Sequence, residues 1–483
     1  MLARPVISIF GFLILVVGIS MLTAVALAYG YDEYDAPYLL TSSVITIITG
    51  LVLFFGFRVR ERGELHPREG FVIVSLAWVL IPLFGCMPFL FSQAIPSFTD
   101  AYFETVSGFT TTGSSILTNV EKLPHGLLYW RSLTHWLGGM GIIVLSLAIL
   151  PLLGTGGMQL FKAEAAGPTK DKLTPRIAET ARLLWGIYVL ATAMEVILLV
   201  FGGMPLFDAV CHSFATIASG GFSTKNASIG FYNSAYIDAV VTLFMFIAGT
   251  NFALHYALLK GNFKAHFRND EFRFYLVTYV LACVIVTAAI AGPSFSGDVV
   301  KAFRYAAFNI MSIMTCTGFS TADFALWVPV AQIILLFLLF PGGCAGSTAG
   351  GMKNIRVMLL LRSATNELKK LIHPKLVVPV RYGGKAVEQE ILFAVGGFII
   401  MYLATFSISA VLLTITGLDI VTSMSAVATC MAGCGPGLGA VGPMSNFAHL
   451  SVFGKWVLDA CMLLGRLEIY SIFVIFSSSF WKR

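Results

Sequence analysis

Four short runs of small residues stand at matching places in this 483-residue chain. They read Ser107-Gly108-Phe109-Thr110-Thr111-Thr112-Gly113, Ala218-Ser219-Gly220-Gly221-Phe222-Ser223-Thr224, Thr315-Cys316-Thr317-Gly318-Phe319-Ser320-Thr321 and Ala432-Gly433-Cys434-Gly435-Pro436-Gly437. Gly113, Gly221, Gly318 and Gly435 are 108, 97 and 117 residues apart, and each run follows a short apolar segment between two long ones. The chemistry open to such residues is main-chain chemistry. Glycine reaches φ > 0 and keeps a Cβ away from a narrow axis. Four extended segments around one axis can offer rings of carbonyl oxygens to a cation stripped of its water. A single Gly-rich turn between helices carries no such meaning. Four of them read as the quarters of a selectivity filter: Thr110, Thr111, Thr112 and Gly113; Ala218, Ser219, Gly220 and Gly221; Thr315, Cys316, Thr317 and Gly318; Ala432, Gly433, Cys434 and Gly435.

Two further features bear on such a pathway. Pro341-Gly342-Gly343-Cys344-Ala345-Gly346-Ser347-Thr348-Ala349-Gly350-Gly351 interrupts an apolar stretch, Leu326 to Leu361, too long for one bilayer crossing. So many glycines disfavour helix by about 1 kcal/mol each relative to Ala. The alternatives are a close helix-packing motif of small residues or an intramembrane loop below the filter. The loop reading makes Gly346, Ser347, Thr348, Ala349 and Gly350 a candidate gate, with hydroxyls and free backbone groups facing pore water. Arg466 sits inside the last apolar segment, where an arginine costs roughly 2.5–3.5 kcal/mol on insertion scales. It belongs in the bundle interior, as a fixed positive charge near the loop. Glu468 is a poor direct partner, because residues two apart point to different helix faces. Glu104, Glu195 and Asp459 are the other membrane carboxylates, and Glu104 falls in a short apolar segment just ahead of a filter run. His135 and His212 read as buried core residues.

The elements that must position these residues follow from composition. The chain is 57% hydrophobic and 12% charged, against about 25% charged in a soluble domain. This is an integral membrane protein. Its formal charge of +6 needs no nucleic acid, since cytoplasmic loops carry excess Lys and Arg. The eight cysteines form no CxxC pair and read as small buried residues. Val6 to Ala28 and Tyr38 to Phe57 are two extra N-terminal spans. Then come four units of outer helix, short re-entrant helix, filter run and inner helix. The short helices are Asp100 to Phe109, Asp208 to Ile217, Val300 to Met314 and Ile420 to Met431. Their carbonyl ends would aim toward a cation. The inner helices are Leu127 to Leu153, Ala235 to Leu259, Leu326 to Leu361 and Val452 to Phe480. The sequence predicts an all-α polytopic membrane protein with about ten crossings: 1–69 as the two extra helices, and pore repeats at 70–160, 161–262, 263–380 and 381–483. Asp100-Ala101 and Asp208-Ala209 stand at one offset from Gly113 and Gly221, as an internal repeat requires. Arg58, Arg60, Arg62 and Arg68, and the basic runs after each inner helix, place both termini and those loops in the cytoplasm. Lys369, Lys370 and Arg381 there suit a docking partner or anionic lipid.

These runs, together with Trp136-Leu137-Gly138-Gly139-Met140-Gly141, Gly157-Met158-Gln159-Leu160, Pro175-Arg176-Ile177-Ala178-Glu179-Thr180-Ala181 and Gly346–Gly351, resemble the superfamily of Trk, Ktr and HKT potassium transporters over almost the whole chain. The resemblance implies a four-repeat pore in a bacterial inner membrane, with K+ held by filter carbonyls and no organic cofactor. It also implies a homodimer and a cytoplasmic nucleotide-binding subunit of the TrkA type. The family's filter glycine falls on Gly113, Gly221, Gly318 and Gly435, its gating loop on Gly346–Gly350 and its pore arginine on Arg466. Serine replaces the first glycine in Na+-favouring plant relatives, so Gly113 points to K+. One departure is the fourth run: relatives often have Asn before Gly-Pro-Gly, and this chain has Ala432-Gly433-Cys434. A symporter moving K+ with H+ or Na+ is the competing reading. An enzyme is disfavoured, as no nucleophile–base pair or HExxH motif lies in the helices.

Overall fold

The computed structural model describes residues 4–58, 67–148, 177–376, 378–467 and 469–481. Helices dominate it, in the order α1 (Arg4–Gly30), α2 (Ala36–Gly56), α3 (Pro67–Gly85), α4 (Met87–Phe91), α5 (Phe98–Phe109), α6 (His125–Ala148), α7 (Ile177–Phe201), α8 (Leu206–Ile217), α9 (Ala235–Ala248), α10 (Phe252–Leu259), α11 (Lys264–Arg268), α12 (Asp270–Ala291), α13 (Val299–Met314), α14 (Pro329–Leu338), α15 (Asn354–Ile372), α16 (Gln389–Thr414), α17 (Ile420–Ala432), α18 (Val452–Arg466), α19 (Ile469–Phe476) and α20 (Ser478–Trp481). The described strands are a two-residue hairpin, Arg381–Tyr382 with Lys385–Ala386.

Long helices and short helices do different work here. α1 and α2 pack along each other through Gly11, Gly18 and Gly50, where an added Cβ would run into the opposite backbone. Such small residues let apolar helices approach without a hydrophobic drive between them. The short helices α5, α8, α13 and α17 are the buried centre. Each packs on the long helix before it, α3, α7, α12 and α16 respectively. Links between neighbouring units follow in order: α6 with α8, α9 with α13, and α18 with α5. Polar caps fix where three of the short helices begin. Ser97, Asp298 and Asp419 each accept a backbone N–H of the first turn. Hydrogen bonds from Thr422 hold the Asp419 carboxyl below the usual aspartate range.

Among the described residues six helical segments are long and apolar enough to cross a membrane, and α9 and α10 reach that length and hydropathy only as a pair bent by 102°. Several inner segments that read as continuous spans are broken. The 235–259 segment turns at Gly249-Thr250-Asn251, and Asn251 restarts the helix by accepting the N–H of Ala253 at 2.8 Å. The 326–361 segment divides into α14 and α15 around the Gly-rich run. The 452–480 segment stops at Arg466 and resumes at Ile469. Broken helices at membrane depth survive only where other groups satisfy the freed backbone.

Candidate ion pathway

The four short helices end in one way. Thr112 N donates to Ser107 O at 2.9 Å, Gly220 N to Ala215 O at 2.8 Å, Thr317 N to Ser312 O at 2.8 Å and Cys434 N to Thr429 O at 2.9 Å. This bond spans five residues each time and closes around a left-handed residue, as in a Schellman ending. The left-handed residue is Thr111 (φ 54°), Ser219 (φ 56°), Cys316 (φ 57°) or Gly433 (φ 72°). Side-chain-bearing residues adopt that conformation against a cost of roughly 1–2 kcal/mol. The departure at Ala432-Gly433-Cys434 therefore places glycine where the other three runs carry strain.

Two residues on, φ is positive again, at Gly113 (84°), Gly221 (78°), Gly318 (82°) and Gly435 (81°). A Cβ on Gly113 would overlap the carbonyl oxygen of Gly220; on Gly221, that of Thr317; on Gly318, that of Cys434. A Cβ on Gly435 would lie 3.0 Å from the carbonyl oxygen of Thr112. The contacts run from the first stretch to the second, third and fourth and back to the first. They describe a closed ring, looser at its last joint. Gly113, Gly221 and Gly318 are part-exposed while the side chains beside them are buried. The open surface at this level is main chain. Hydroxyl bridges brace alternate quarters only: Thr110 to Thr112 at 2.8 Å and Thr315 to Thr317 at 2.7 Å, where the second and fourth runs have Ala218 with Gly220 and Ala432 with Cys434.

Behind the ring, the residue nine positions before each glycine is Glu104, His212, Asn309 or Ala426. Three of these hold the chain that follows the glycine. Glu104 accepts from Ile116 N at 2.9 Å and Ser115 Oγ at 3.0 Å. His212 Nε2 lies 2.9 Å from Ser223 Oγ. Asn309 Nδ2 donates to Thr321 Oγ1 at 3.0 Å. The fourth quarter uses Ser425 instead, whose Oγ donates to Leu438 O at 2.9 Å. Arg131 joins two quarters. Its Nε donates to Glu104 at 2.6 Å, its Nη1 to Ser223 O at 3.0 Å, and its guanidinium lies 3.5 Å over the Phe222 ring. His135 does likewise, with Nδ1 2.8 Å from Gly108 O and Nε2 accepting from Phe222 N at 3.2 Å. Lys455 to Asp100 at 2.6 Å and Arg304 to Asp238 at 2.7 Å tie other neighbours.

Glu104 and Arg131 are 1% and 3% exposed, so Glu104→Gln leaves a buried cation without its anion. Breaking a buried pair in this way costs about 3–5 kcal/mol. The expected result is a lower melting temperature of the purified full chain in detergent, partly restored in Glu104→Gln/Arg131→Met. Equal melting of the single variant and the parent would remove this pair as a support of the ring.

The Gly-rich run lies against the helix ends that form the ring. Thr348 Oγ1 is 2.8 Å from Ile217 O and 3.1 Å from Ser219 Oγ, and Gly351 N donates to Ala432 O at 2.8 Å. The same run satisfies the break between α9 and α10: Cys344 N donates to Gly249 O at 2.9 Å, Thr348 N to Ala248 O at 3.3 Å, and Phe252 N to Gly346 O at 3.0 Å. Two cations hold it. Arg466 Nη1 donates to Thr348 O at 3.1 Å while its Nη2 reaches Gly138 O at 3.3 Å, and Lys353 Nζ donates to Ala349 O. Arg466 closes the last turn of α18 rather than standing in mid-span, and a cation there also complements the helix dipole.

The structure thus brings Gly346–Gly350 and Arg466 together beside the second and fourth runs. Glu195 and Asp459 are buried elsewhere, on α7 and α18, and make no hydrogen bond to the four runs. Arg60, Arg62, Gly157-Met158-Gln159-Leu160, Pro175, Arg176, Glu468 and the basic residues between 161 and 174 lie outside the described residues. All eight cysteines are buried and unpaired. His135 and His212 are buried as the sequence suggests, but sequence reasoning missed the hydrogen bonds they make, and it missed Arg131, Lys353 and Asn309. The common offset of nine residues before each glycine was a usable signal for Glu104, His212 and Asn309; nothing local marks Arg131 or His135.

Fold and site together define a predominantly helical, multi-pass membrane transport protein. Residues 37–483 match the TrkH family, described as cation transport protein, and the chain belongs to that family, whose members are transporters and not enzymes. Similar proteins include the Trk system potassium uptake protein TrkH of Salmonella typhimurium, 41% identical over 482 residues and 99% of each chain. The TrkH of Halomonas elongata is 38% identical and the Trk system potassium uptake protein TrkG of Escherichia coli 36%, each over 99% of both chains. The crystal structure of the potassium transporter TrkH from Vibrio parahaemolyticus superimposes with a TM-score of 0.89 at 38% identity, covering 99% of each chain.

Proposed function

We propose that this chain is the membrane pathway of a bacterial K+ uptake system in the inner membrane. The carrying observation is the closed ring in which the positive-φ glycine of each run abuts the main chain of the next. In this reading the carbonyls of residues 110–113, 218–221, 315–318 and 432–435 replace the hydration shell of K+. Buried side chains hold those carbonyls at fixed spacing. The potassium uptake named for the relatives supports the choice of ion. Gly346–Gly350 and Arg466 form the gate, because they cross from one set of helix ends to another and carry positive charge. A nucleotide-binding subunit of the TrkA type regulates it from the cytoplasm, and two copies of the chain form the working unit.

Purified protein in liposomes tests this. K+ uptake down its own gradient is expected with no pH gradient imposed, with Na+ moving at a tenth of that rate or less. Equal rates for the two ions would overturn the filter assignment, and uptake that required a pH or Na+ gradient would replace the uncoupled pathway by symport.

A further inference from the structure

An open groove of about 940 Å³ lies away from the ion pathway, between the first turns of α12, the α15 helix and the segment leading into the hairpin. Its charged lining is one-sided: Arg273, Arg362, Lys369 and Arg381 face a single acid, Asp270, leaving three positive charges in excess. Asp270 is already shared. It pairs with Arg273, accepts from Arg362 Nη1 at 3.0 Å and accepts from Gly383 N at 3.2 Å. Among the described residues no carboxylate pairs with Lys369 or Arg381. Both are exposed. A site with unspent donors on a rigid base of ion pairs is suited to an anion.

Thr365 and Asn366 are the neutral polar residues of the lining, and its apolar part leads in one direction. Phe274, Val277, Met358 and Leu361 supply the apolar walls on the two helices. From Val277, 54% exposed, an apolar stripe continues up α12 through Leu281 at 56% and Val284 at 62%. These positions recur at i, i+4 and i+7, which is one helix face. At 1.5 Å per residue the stripe begins about 6 Å above Arg273. α12 is one of the long apolar helices, so its stripe lies at acyl-chain depth when its basic end meets the headgroup layer. A soluble phosphate would use the cations and leave the stripe idle. A molecule with a phosphate at one end and a hydrocarbon chain at the other uses both.

We propose that this groove is a binding site for an anionic phospholipid, with its headgroup phosphate on Lys369, Arg381, Arg273 and Arg362 and one acyl chain along Val277–Val284. Basic pockets at the cytoplasmic ends of membrane helices recognise lipid headgroups in this way. The test uses the full-length protein purified in detergent, titrated with phosphatidylglycerol or phosphatidylcholine of the same acyl chains and read by native mass spectrometry. Phosphatidylglycerol is expected to bind at least tenfold more tightly. Lys369→Gln/Arg381→Gln is expected to weaken it roughly 30-fold without changing phosphatidylcholine binding. Lys260→Gln/Lys264→Gln, two exposed lysines outside the groove, should leave it unchanged. If the double variant does not fold, Lys369→Gln alone is expected to give about a fivefold loss. The proposal is overturned if the groove variant binds phosphatidylglycerol as the parent does, or if the control pair weakens it equally. It is also overturned if glycerol phosphate displaces the lipid at equal concentration, which would assign the cations to a soluble phosphate.

Discussion

Gly113→Ser is expected to cut the K+ to Na+ flux ratio by about tenfold or more. Gly113 has φ +84°, and a Cβ there would overlap the carbonyl oxygen of Gly220 in the next run. Nothing flexible lies in the way: the obstacle is main chain, and Gly220 is itself packed on the His135 ring. The serine must therefore displace a carbonyl of the ring, and it must also hold a conformation that side chains enter at a cost. A loss of about 1.4 kcal/mol in the preference of the ring for one ion over another is already tenfold. Gly435→Ser offers an internal comparison. Its Cβ meets the first run at 3.0 Å, with no closer atom, so a smaller loss is expected. Flux of each ion into liposomes, measured on both variants, checks the order. A Gly113→Ser ratio equal to that of the parent would show that the ring does not choose the ion.

Arg466→Ala is expected to raise basal K+ flux several-fold without changing the flux ratio. The side chain holds Thr348 O and Gly138 O together, so its loss frees the Gly-rich run from α6 and removes a positive charge from the path. Deleting Gly346–Gly350 acts on the same contact from the other side. The two changes together should therefore raise flux by less than the product of their separate effects. Lys353 still holds Ala349 O in the arginine variant, so Arg466→Ala should open the path less than the deletion does. The run also satisfies Gly249 O, Ala248 O and Ala432 O. A packing role accordingly predicts that the deletion lowers folded yield and flux together. Normal yield with unchanged basal flux would falsify the gate. Unchanged selectivity in the leaking protein separates the gate from the ring.

Run lengths and local spacing made much of this protein legible from the chain itself. The apolar segments from Val6, Tyr38, Phe71, Leu183, Phe274 and Ile391 are long helices because each can satisfy its own backbone while its side chains face lipid or other helices. The short helices end where the small residues begin, at Thr110, Ala218, Thr315 and Gly433, because helix endings depend on the few residues that form them. The position of Gly342–Gly351 between two helices is equally local. Tertiary structure decided what these pieces meet. Arg131 reaches Glu104 27 residues away and Ser223 92 residues away, and Thr348 reaches Ile217 across 131 residues. No periodicity in the chain encodes such pairs, since hydrogen bonds form between groups that packing alone brings within reach. The break at Gly249-Thr250-Asn251 was invisible for the same reason. Its apolar flanks would continue as one helix, and they bend because the Gly-rich run, about 100 residues on, supplies the hydrogen bonds that the helix gives up.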